Sequence, residues 1–92
     1  MNEILKDRNK VAGNANKVDG SDNSLIGSEN ILQGNRNMIK GDINKVLGDD
    51  NLLSGSRNSL EGSKNAVGGS DNTVKGSENT VFGDKNAILK GN

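Results

Sequence analysis

The chain has 92 residues, which allows one domain at most, and its twelve basic and twelve acidic residues cancel, so no nucleic-acid-binding patch is indicated. The absence of Cys and His excludes disulfides, thiol and imidazole catalysis, and most zinc or copper sites. One aromatic residue, Phe82, and thirteen Gly would suggest a disordered chain if the residues did not follow a regular order.

The first ten residues, Met1 to Lys10, contain no apolar run long enough for a signal peptide. No later segment is apolar enough to span a membrane, so we expect no membrane partner. The cellular compartment stays undetermined, because the sequence fits a cytosolic protein as well as one that has already been processed.

A seven-residue repeat begins at residue 2 and runs to residue 91. Asn recurs at every seventh position from Asn2 to Asn86, and an aliphatic residue always follows two positions later. Gly stands two positions after that, except in the terminal repeats, where Lys6 and Lys90 take its place. The unit Asn-x-[Val/Ile/Leu]-x-Gly-[Ser/Asp/Asn]-x fills the chain, so residues 1–92 are predicted to form a single domain.

Each repeat predicts a short strand followed by a corner. Asn and the aliphatic residue point to the same side of an extended segment, and that side must face inward because exposed aliphatic ranks would be insoluble. Val46, Val67 and Val74 are therefore expected to be fully buried. Gly supplies the positive φ of the corner, and inward Asn side chains can stack and satisfy neighbouring backbone groups. The ladder predicted for one sheet contains Asn23, Asn37, Asn51, Asn65 and Asn79.

Two other periodic structures are excluded by the repeat. A coiled coil also has a period of seven, but a glycine in every heptad destabilises a helix by about 1 kcal/mol each, and only one reliable apolar position remains per repeat. Calcium-binding β-rolls of the RTX type have a nine-residue repeat, whereas the period here is seven.

The charges beside the repeating Asn indicate how many repeats form one coil. Neighbouring coils lie about 4.8 Å apart, so like charges in adjacent coils destabilise the structure. Spacings of seven and twenty-one bring together like charges such as Asp22 with Glu29, or Arg57 with Arg36. A spacing of fourteen alternates the sign in one column and avoids like neighbours in the other: Arg8, Asp22, Arg36, Asp50, Lys64, Glu78; and Ala15, Glu29, Ile43, Arg57, Asp71, Lys85.

Two repeats per coil predict an all-β fold, a two-sheet β-solenoid (β-roll) of about six 14-residue coils, as a rod roughly 30 Å long. The outward residues then sort into two faces. Face one carries Glu3, Leu5, Lys17, Asp19, Ile31, Gln33, Lys45, Leu47, Ser59, Glu61, Thr73, Lys75, Ala87 and Leu89. Face two carries Lys10, Ala12, Ser24, Ile26, Met38, Lys40, Leu52, Ser54, Ala66, Gly68, Thr80 and Phe82.

Face two is the candidate binding surface, because only two of its twelve residues are charged, against six of fourteen on face one. A surface under little constraint that lost its charges by chance would show the same pattern. The candidate binding residues are Ser24, Ile26, Met38, Leu52, Ser54, Ala66, Thr80 and Phe82.

Segments such as Gly69-Ser-Asp-Asn-Thr-Val-Lys-Gly-Ser-Glu-Asn-Thr-Val-Phe-Gly83 resemble the ice-recrystallisation-inhibition (antifreeze) proteins of cold-hardy grasses. The resemblance extends along essentially the whole chain and implies a left-handed β-roll with internal Asn ladders and one flat sheet that binds ice. The ice face of that family is rich in Thr, Ser and Val. Ser24, Ser54 and Thr80 match this chemistry on face two, whereas Lys10, Lys40, Met38 and Phe82 depart from it. A processed homologue of this family would be extracellular.

Neither face contains a catalytic constellation, because acidic neighbours such as Asp49 and Asp50 lie at a corner and no Ser or Thr has a partner base. We expect no enzyme activity, cofactor or metal. The primary hypothesis is a structural β-solenoid that associates with itself, end to end through its open strand edges or laterally through face two. The alternative hypothesis is an ice-binding protein.

Overall fold

Two parallel β-sheets lie back to back and form a β-solenoid of about six coils of roughly 14 residues. The computed structural model describes residues 3–5 and 8–89, and it describes only the backbone of residues 3 and 5. The expected Lys6 and Lys90 departures from the repeat therefore lie outside the described residues. The strands are β1 (Glu3–Leu5), β2 (Lys10–Ala12), β3 (Lys17–Asp19), β4 (Ser24–Ile26), β5 (Ile31–Gln33), β6 (Met38–Lys40), β7 (Lys45–Leu47), β8 (Leu52–Ser56), β9 (Ser59–Ser63), β10 (Ala66–Ser70), β11 (Thr73–Ser77), β12 (Thr80–Phe82) and β13 (Ala87–Ile88).

Consecutive strands alternate between the sheets, so one sheet contains the odd-numbered strands and the other contains the even-numbered strands. Each strand pairs in parallel with the strand fourteen residues later, as in the pairing of Val18 with Leu32 and of Leu25 with Ile39. This register confirms the coil length predicted from the charges. The Cα framework measures 31 × 20 × 13 Å, which agrees with the expected length of the rod.

A single column of aliphatic side chains between the sheets forms the core. Val46 and Val74 are 0% exposed and Val67 is 3% exposed, so the inward orientation predicted for them is confirmed. The fully buried members are Val18, Leu25, Leu32, Ile39, Val46, Leu53, Leu60, Val67, Val74 and Val81.

The expectation that every repeating aliphatic residue is buried is wrong at three positions. Val11 and Ile88 are only partly buried against the core, and Ile4 is 43% exposed. All three lie in strands at the ends of the sheets, which have a neighbouring coil on one side only. Burial in this fold therefore depends on the coils above and below as much as on the opposite sheet.

Buried Asn side chains connect each coil to the next. The backbone N–H of Asn30 donates to Oδ1 of Asn16 at 3.0 Å, and Nδ2 of Asn30 donates to the same oxygen at 3.2 Å. The same Nδ2 also donates to the carbonyl oxygen of Gly41 at 2.8 Å, in the equivalent corner of the next coil. The buried members of the two ladders are Asn16, Asn23, Asn30, Asn37, Asn44, Asn51, Asn58, Asn65 and Asn72.

Asn79 differs from the other residues that the sequence assigns to the ladder. Its backbone N–H donates to Oδ1 of Asn65 at 2.9 Å, but its buried Nδ2 has no hydrogen-bond partner within residues 3–5 and 8–89. For the other ladder residues the acceptor of Nδ2 is a glycine carbonyl eleven residues later, as for Asn65 and Gly76. The corresponding position after Asn79 is residue 90, which lies outside the described residues.

Two residues of each corner have positive φ, whereas the sequence predicted only the glycine. The described repeat glycines have φ between 119° and 138°, and a Cβ on Gly41 would collide with the carbonyl oxygen of Gly55 in the next coil. The residue before each Asn also has a left-handed φ of 55–60°, at twelve positions from Arg8 to Lys85. The chain reverses direction within few residues, and this requires a second left-handed residue that the charge pattern did not reveal.

A strand continues into the corner where Ser follows Gly in two neighbouring coils. Where the residue after Gly is Asp or Asn, its side chain binds a backbone N–H of the preceding coil, as Asp42 Oδ1 accepts from Ser28 N–H at 2.9 Å. The longer strands β8 to β11 all end in Gly-Ser, and their backbone pairing includes Gly55 with Gly69 and Ser56 with Ser70. The coils between residues 52 and 77 therefore have the most regular backbone.

Ile43 offers a test of the left-handed corner position. A β-branched residue is strained at its φ of 59°, whereas Asn tolerates this conformation. Ile43→Asn should therefore stabilise the fold by about 1 kcal/mol, measured by chemical denaturation. The matched control is Ile31→Asn, since Ile31 is similarly exposed (46% against 51%) but lies in strand β5. A stability gain of equal size in both variants would contradict the strain at Ile43.

The core assignment predicts that Val67→Asp unfolds the protein. An unpaired charge buried between the two sheets costs several kcal/mol. This cost is comparable to the whole free energy of unfolding of a small domain. Circular dichroism of the variant should show loss of the β-sheet signal and of cooperative melting. Thr73→Asp places the same side chain on an exposed strand position and should still fold. A cooperative, β-rich Val67→Asp protein would show that Val67 does not lie in the core.

Candidate functional site: the two flat faces

The strands display their outward residues in two ranks on each face. Parallel pairing places Ser24 beside Met38 and Ile26 beside Lys40, and the same register continues along the sheet. Adjacent members of a rank are therefore separated by the interstrand distance of about 4.8 Å. The ranks of face two are Lys10, Ser24, Met38, Leu52, Ala66, Thr80 and Ala12, Ile26, Lys40, Ser54, Gly68, Phe82.

All eight candidate binding residues lie on this one sheet and face solvent to some degree. Ser24 and Ala66 are partly exposed, and the other six are exposed: Ile26, Met38, Leu52, Ser54, Thr80 and Phe82. The structure thus brings the predicted set together as a single surface. This surface is more apolar than the Thr- and Ser-rich ice face that the resemblance implies.

Phe82 is the most exposed of the large apolar residues on this surface at 76%, and its ring lies over Gly68. A Cβ on Gly68 would lie 3.0 Å from Cδ1 and 3.3 Å from Cε1 of the ring. Because Gly68 has no Cβ, the Phe82 ring can lie close to the backbone of strand β10. This contact was not predicted from the sequence, although the register pairs the two residues directly.

Face one differs from face two in its charges rather than in its backbone. Within its described side chains it carries Lys17, Asp19, Lys45, Glu61 and Lys75. Lys75 Nζ lies 3.9 Å from Glu61 Oε1 across adjacent coils, in an exposed pair. A depression of about 240 Å³ between β3 and β5 is lined by Lys17, Asp19, Ile31, Leu32 and Gln33. It is smaller than the cavities that usually hold small ligands.

Within residues 8–89, the corner columns hold three ion pairs between coils. Arg8 Nε donates to Asp22 Oδ1 at 2.6 Å, and Arg36 Nε donates to Asp50 Oδ1 at 2.8 Å. Arg57 and Asp71 form the equivalent pair in the other column at 2.9 Å. Each pair joins residues fourteen apart, so these contacts confirm the predicted alternation of charge. They also keep both signs at the edges of the sheets, away from the centre of face two.

Hydrogen bonds from the arginines lower the pKa of the paired carboxyl groups. The Arg8 guanidinium lowers the pKa of Asp22, Arg36 lowers that of Asp50, and Arg57 lowers that of Asp71. The same bonds raise the pKa of the Arg36 and Arg57 side chains. All of these side chains are well exposed, so the pairs set the register of the coils more than they stabilise the fold.

Within residues 3–5 and 8–89, no group of three or more Asp or Glu side chains is arranged to hold a metal ion. The same part of the chain contains no helix long and apolar enough to cross a membrane.

A comparison with protein-family models matches residues 2–92 to the grass antifreeze β-roll. The chain belongs to this family. The match covers nearly the whole sequence and agrees with the resemblance carried by the Asn-x-Val-x-Gly repeat. A comparison with curated proteins finds no match. The family is one of ice-binding antifreeze domains, so membership supports the ice-binding hypothesis above the structural one.

The ion pairs of this antifreeze β-roll predict a specific loss of stability in acid. A carboxyl group whose pKa is lowered by folding stabilises the protein above its unfolded pKa of about 4, and this stabilisation is lost as the pH falls through the folded pKa. At low ionic strength, the thermal midpoint should therefore fall between about pH 5 and pH 2. Asp50→Asn removes one of the three lowered carboxyl groups and should make this fall shallower.

Salt provides the control for this titration. In about 1 M salt the Debye length is only about 3 Å, so the ion pairs are screened. The plots of thermal midpoint against pH for the parent and Asp50→Asn proteins should then approach each other. Identical slopes at low salt would show that the Arg36–Asp50 pair does not contribute to stability.

Proposed function

We propose that the protein binds ice through face two and thereby inhibits the growth of ice crystals. The observation that carries this proposal is the run of uncharged residues from Leu52 to Phe82 on a flat, regular sheet. Membership in the grass antifreeze β-roll family supports ice as the ligand. The distribution of charge supports face two as the surface that binds it.

Hydration of charged side chains is the reason that an uncharged face suits ice. An ammonium or carboxylate group holds its own water shell, and adsorption to ice would require either removal of that shell or distortion of the ordered water at the ice surface. Strands β8, β10 and β12 present no charged side chain on face two: their outward residues are Leu52, Ser54, Ala66, Gly68, Thr80 and Phe82. On face one, strands β9 and β11 at the same height present Glu61 and Lys75.

The chemistry of the uncharged stretch suits a surface of ordered water. Ser54 and Thr80 supply hydroxyl groups that can both donate and accept hydrogen bonds. Leu52, Ala66 and Phe82 supply apolar surface that gains free energy when water is displaced from it. A face that combines both groups can share water with ice at some positions and exclude water at others.

Rigidity is the second requirement, because ice is a lattice and its ligand must present groups at fixed intervals. Asn ladders on the inner side of the same sheet fix the coil spacing, as in the bond from Asn65 Nδ2 to Gly76 at 2.8 Å. The β8–β10 pairing continues through Gly69 and Ser70 into the corner. Face two is therefore ordered before it meets a ligand, which reduces the entropy lost on binding.

Self-association, the primary hypothesis from the sequence, receives less support than ice binding. The family match supports the ice-binding alternative and does not bear on association between copies of the chain. Lateral and end-to-end association both stay predictions.

Lysine substitutions test the proposed face directly. Ala66→Lys, at the centre of the uncharged stretch, should abolish inhibition of ice recrystallisation, measured as mean crystal size during annealing of a frozen sucrose solution. Thr80→Lys should raise the protein concentration needed by roughly tenfold or more, which corresponds to about 1.4 kcal/mol.

Thr73→Lys is the matched control, because it replaces the same residue type as Thr80→Lys but at an exposed position of strand β11 on face one. It should leave the inhibition unchanged, and all three variants should keep the circular dichroism and melting behaviour of the parent. Equal loss of activity from Thr73→Lys and Thr80→Lys, or an inactive parent protein, would overturn the proposal.

A further inference from the structure

Lys40 interrupts face two near its middle. It occupies the second rank between Ile26 and Ser54, and neither of these register partners can neutralise it. The side chain is exposed, and none of the ion pairs described in residues 8–89 includes it. The other lysine of the face, Lys10, lies in the end strand β2.

We propose that Lys40 limits the ice-binding area of face two to the coils that follow it. This inference rests on the proposed function and identifies the residue that sets the extent of the binding surface. Two properties of Lys40 support this proposal: its position on the face and the effect of its charge on the water above the sheet.

The position of Lys40 divides two uncharged regions. On one side lie Ser24, Ile26 and Met38, and on the other lies the stretch from Leu52 to Phe82. Three strands, β8, β10 and β12, span two interstrand distances, or roughly 10 Å. With no charge at position 40, the uncharged surface would run from β4 to β12, across five strands and roughly 19 Å.

The chemistry of lysine makes the interruption effective. Its ammonium group is a compact and strongly hydrated point charge on a flexible stem, so its water shell extends over neighbouring positions as the stem moves. On face one, Lys75 at least approaches a carboxylate, Glu61, at 3.9 Å. Lys40 is surrounded within its sheet by Met38, Ile26 and Ser54, and adsorption to ice would leave it unpaired.

Lys40→Thr should therefore increase activity. Thr favours strands and matches the chemistry of Thr80 on the same face. The variant should inhibit recrystallisation at a severalfold lower protein concentration than the parent. Ser54→Lys makes the opposite change in the same rank, leaves only β10 and β12 uncharged, and should weaken inhibition.

Lys45→Thr is the matched control, since Lys45 is exposed in strand β7 on face one and undergoes the same substitution. It should leave activity unchanged. A gain from Lys45→Thr equal to that from Lys40→Thr would overturn the inference, because the effect would then follow net charge and not the face. Should Lys40→Thr precipitate, Lys40→Gln removes the charge while keeping a polar side chain.

The possible failures can be told apart. If Ala66→Lys abolishes inhibition but Lys40→Thr and Lys40→Gln show no gain, the role of Lys40 is refuted while face two remains the ice-binding surface. If the parent protein does not inhibit recrystallisation at all, the proposed function itself fails.

Discussion

The ladder of Asn side chains is the interaction on which the rest of this structure depends. From Asn9 to Asn72, each repeating amide accepts at Oδ1 from the Asn of the following coil and donates from Nδ2 to a glycine carbonyl, as Asn30 does with Asn44 and Gly41. Asn combines an acceptor oxygen and two N–H donors on one short side chain. Asp would lack the donor and would bury a charge. Because one residue type must recur at one spacing, the ladder imposes the period on everything else.

The ladder also explains the requirements of the corner around it. A glycine carbonyl must lie close to the next coil to accept from Nδ2, and this close approach excludes a Cβ, as at Gly41. The residue before Asn then has to adopt a left-handed conformation to return the chain to the sheet. Its side chain points to solvent and stacks above its equivalent fourteen residues away, so this column can carry alternating charges such as Arg36 and Asp50.

The sequence predicted those features that depend on spacing and missed those that depend on local backbone geometry. The fourteen-residue coil, the burial of Val67 and the Arg57–Asp71 contact all follow from which residues recur at which interval. The left-handed conformation of Ile43 could not be inferred, since a β-branched residue argues against it. Nor could the position of the Phe82 ring over Gly68, which depends on a rotamer. The eight candidate residues share one face, but their affinity for ice stays a prediction.

The two sheets have the same backbone, the same inner ladder and the same spacing, so the fold alone gives no reason for one face to bind a ligand and the other not to. The difference must come from the outward side chains, and chiefly from where charge is tolerated. Corners accept charge because opposite signs meet across coils, as Arg8 meets Asp22 at 2.6 Å. A charge in the middle of a flat face has no such partner unless the next coil supplies one, as Glu61 does for Lys75. On face two the coils beside Lys40 supply Ile26 and Ser54 and no opposite charge, which is why the proposed extent of the binding surface depends on this residue.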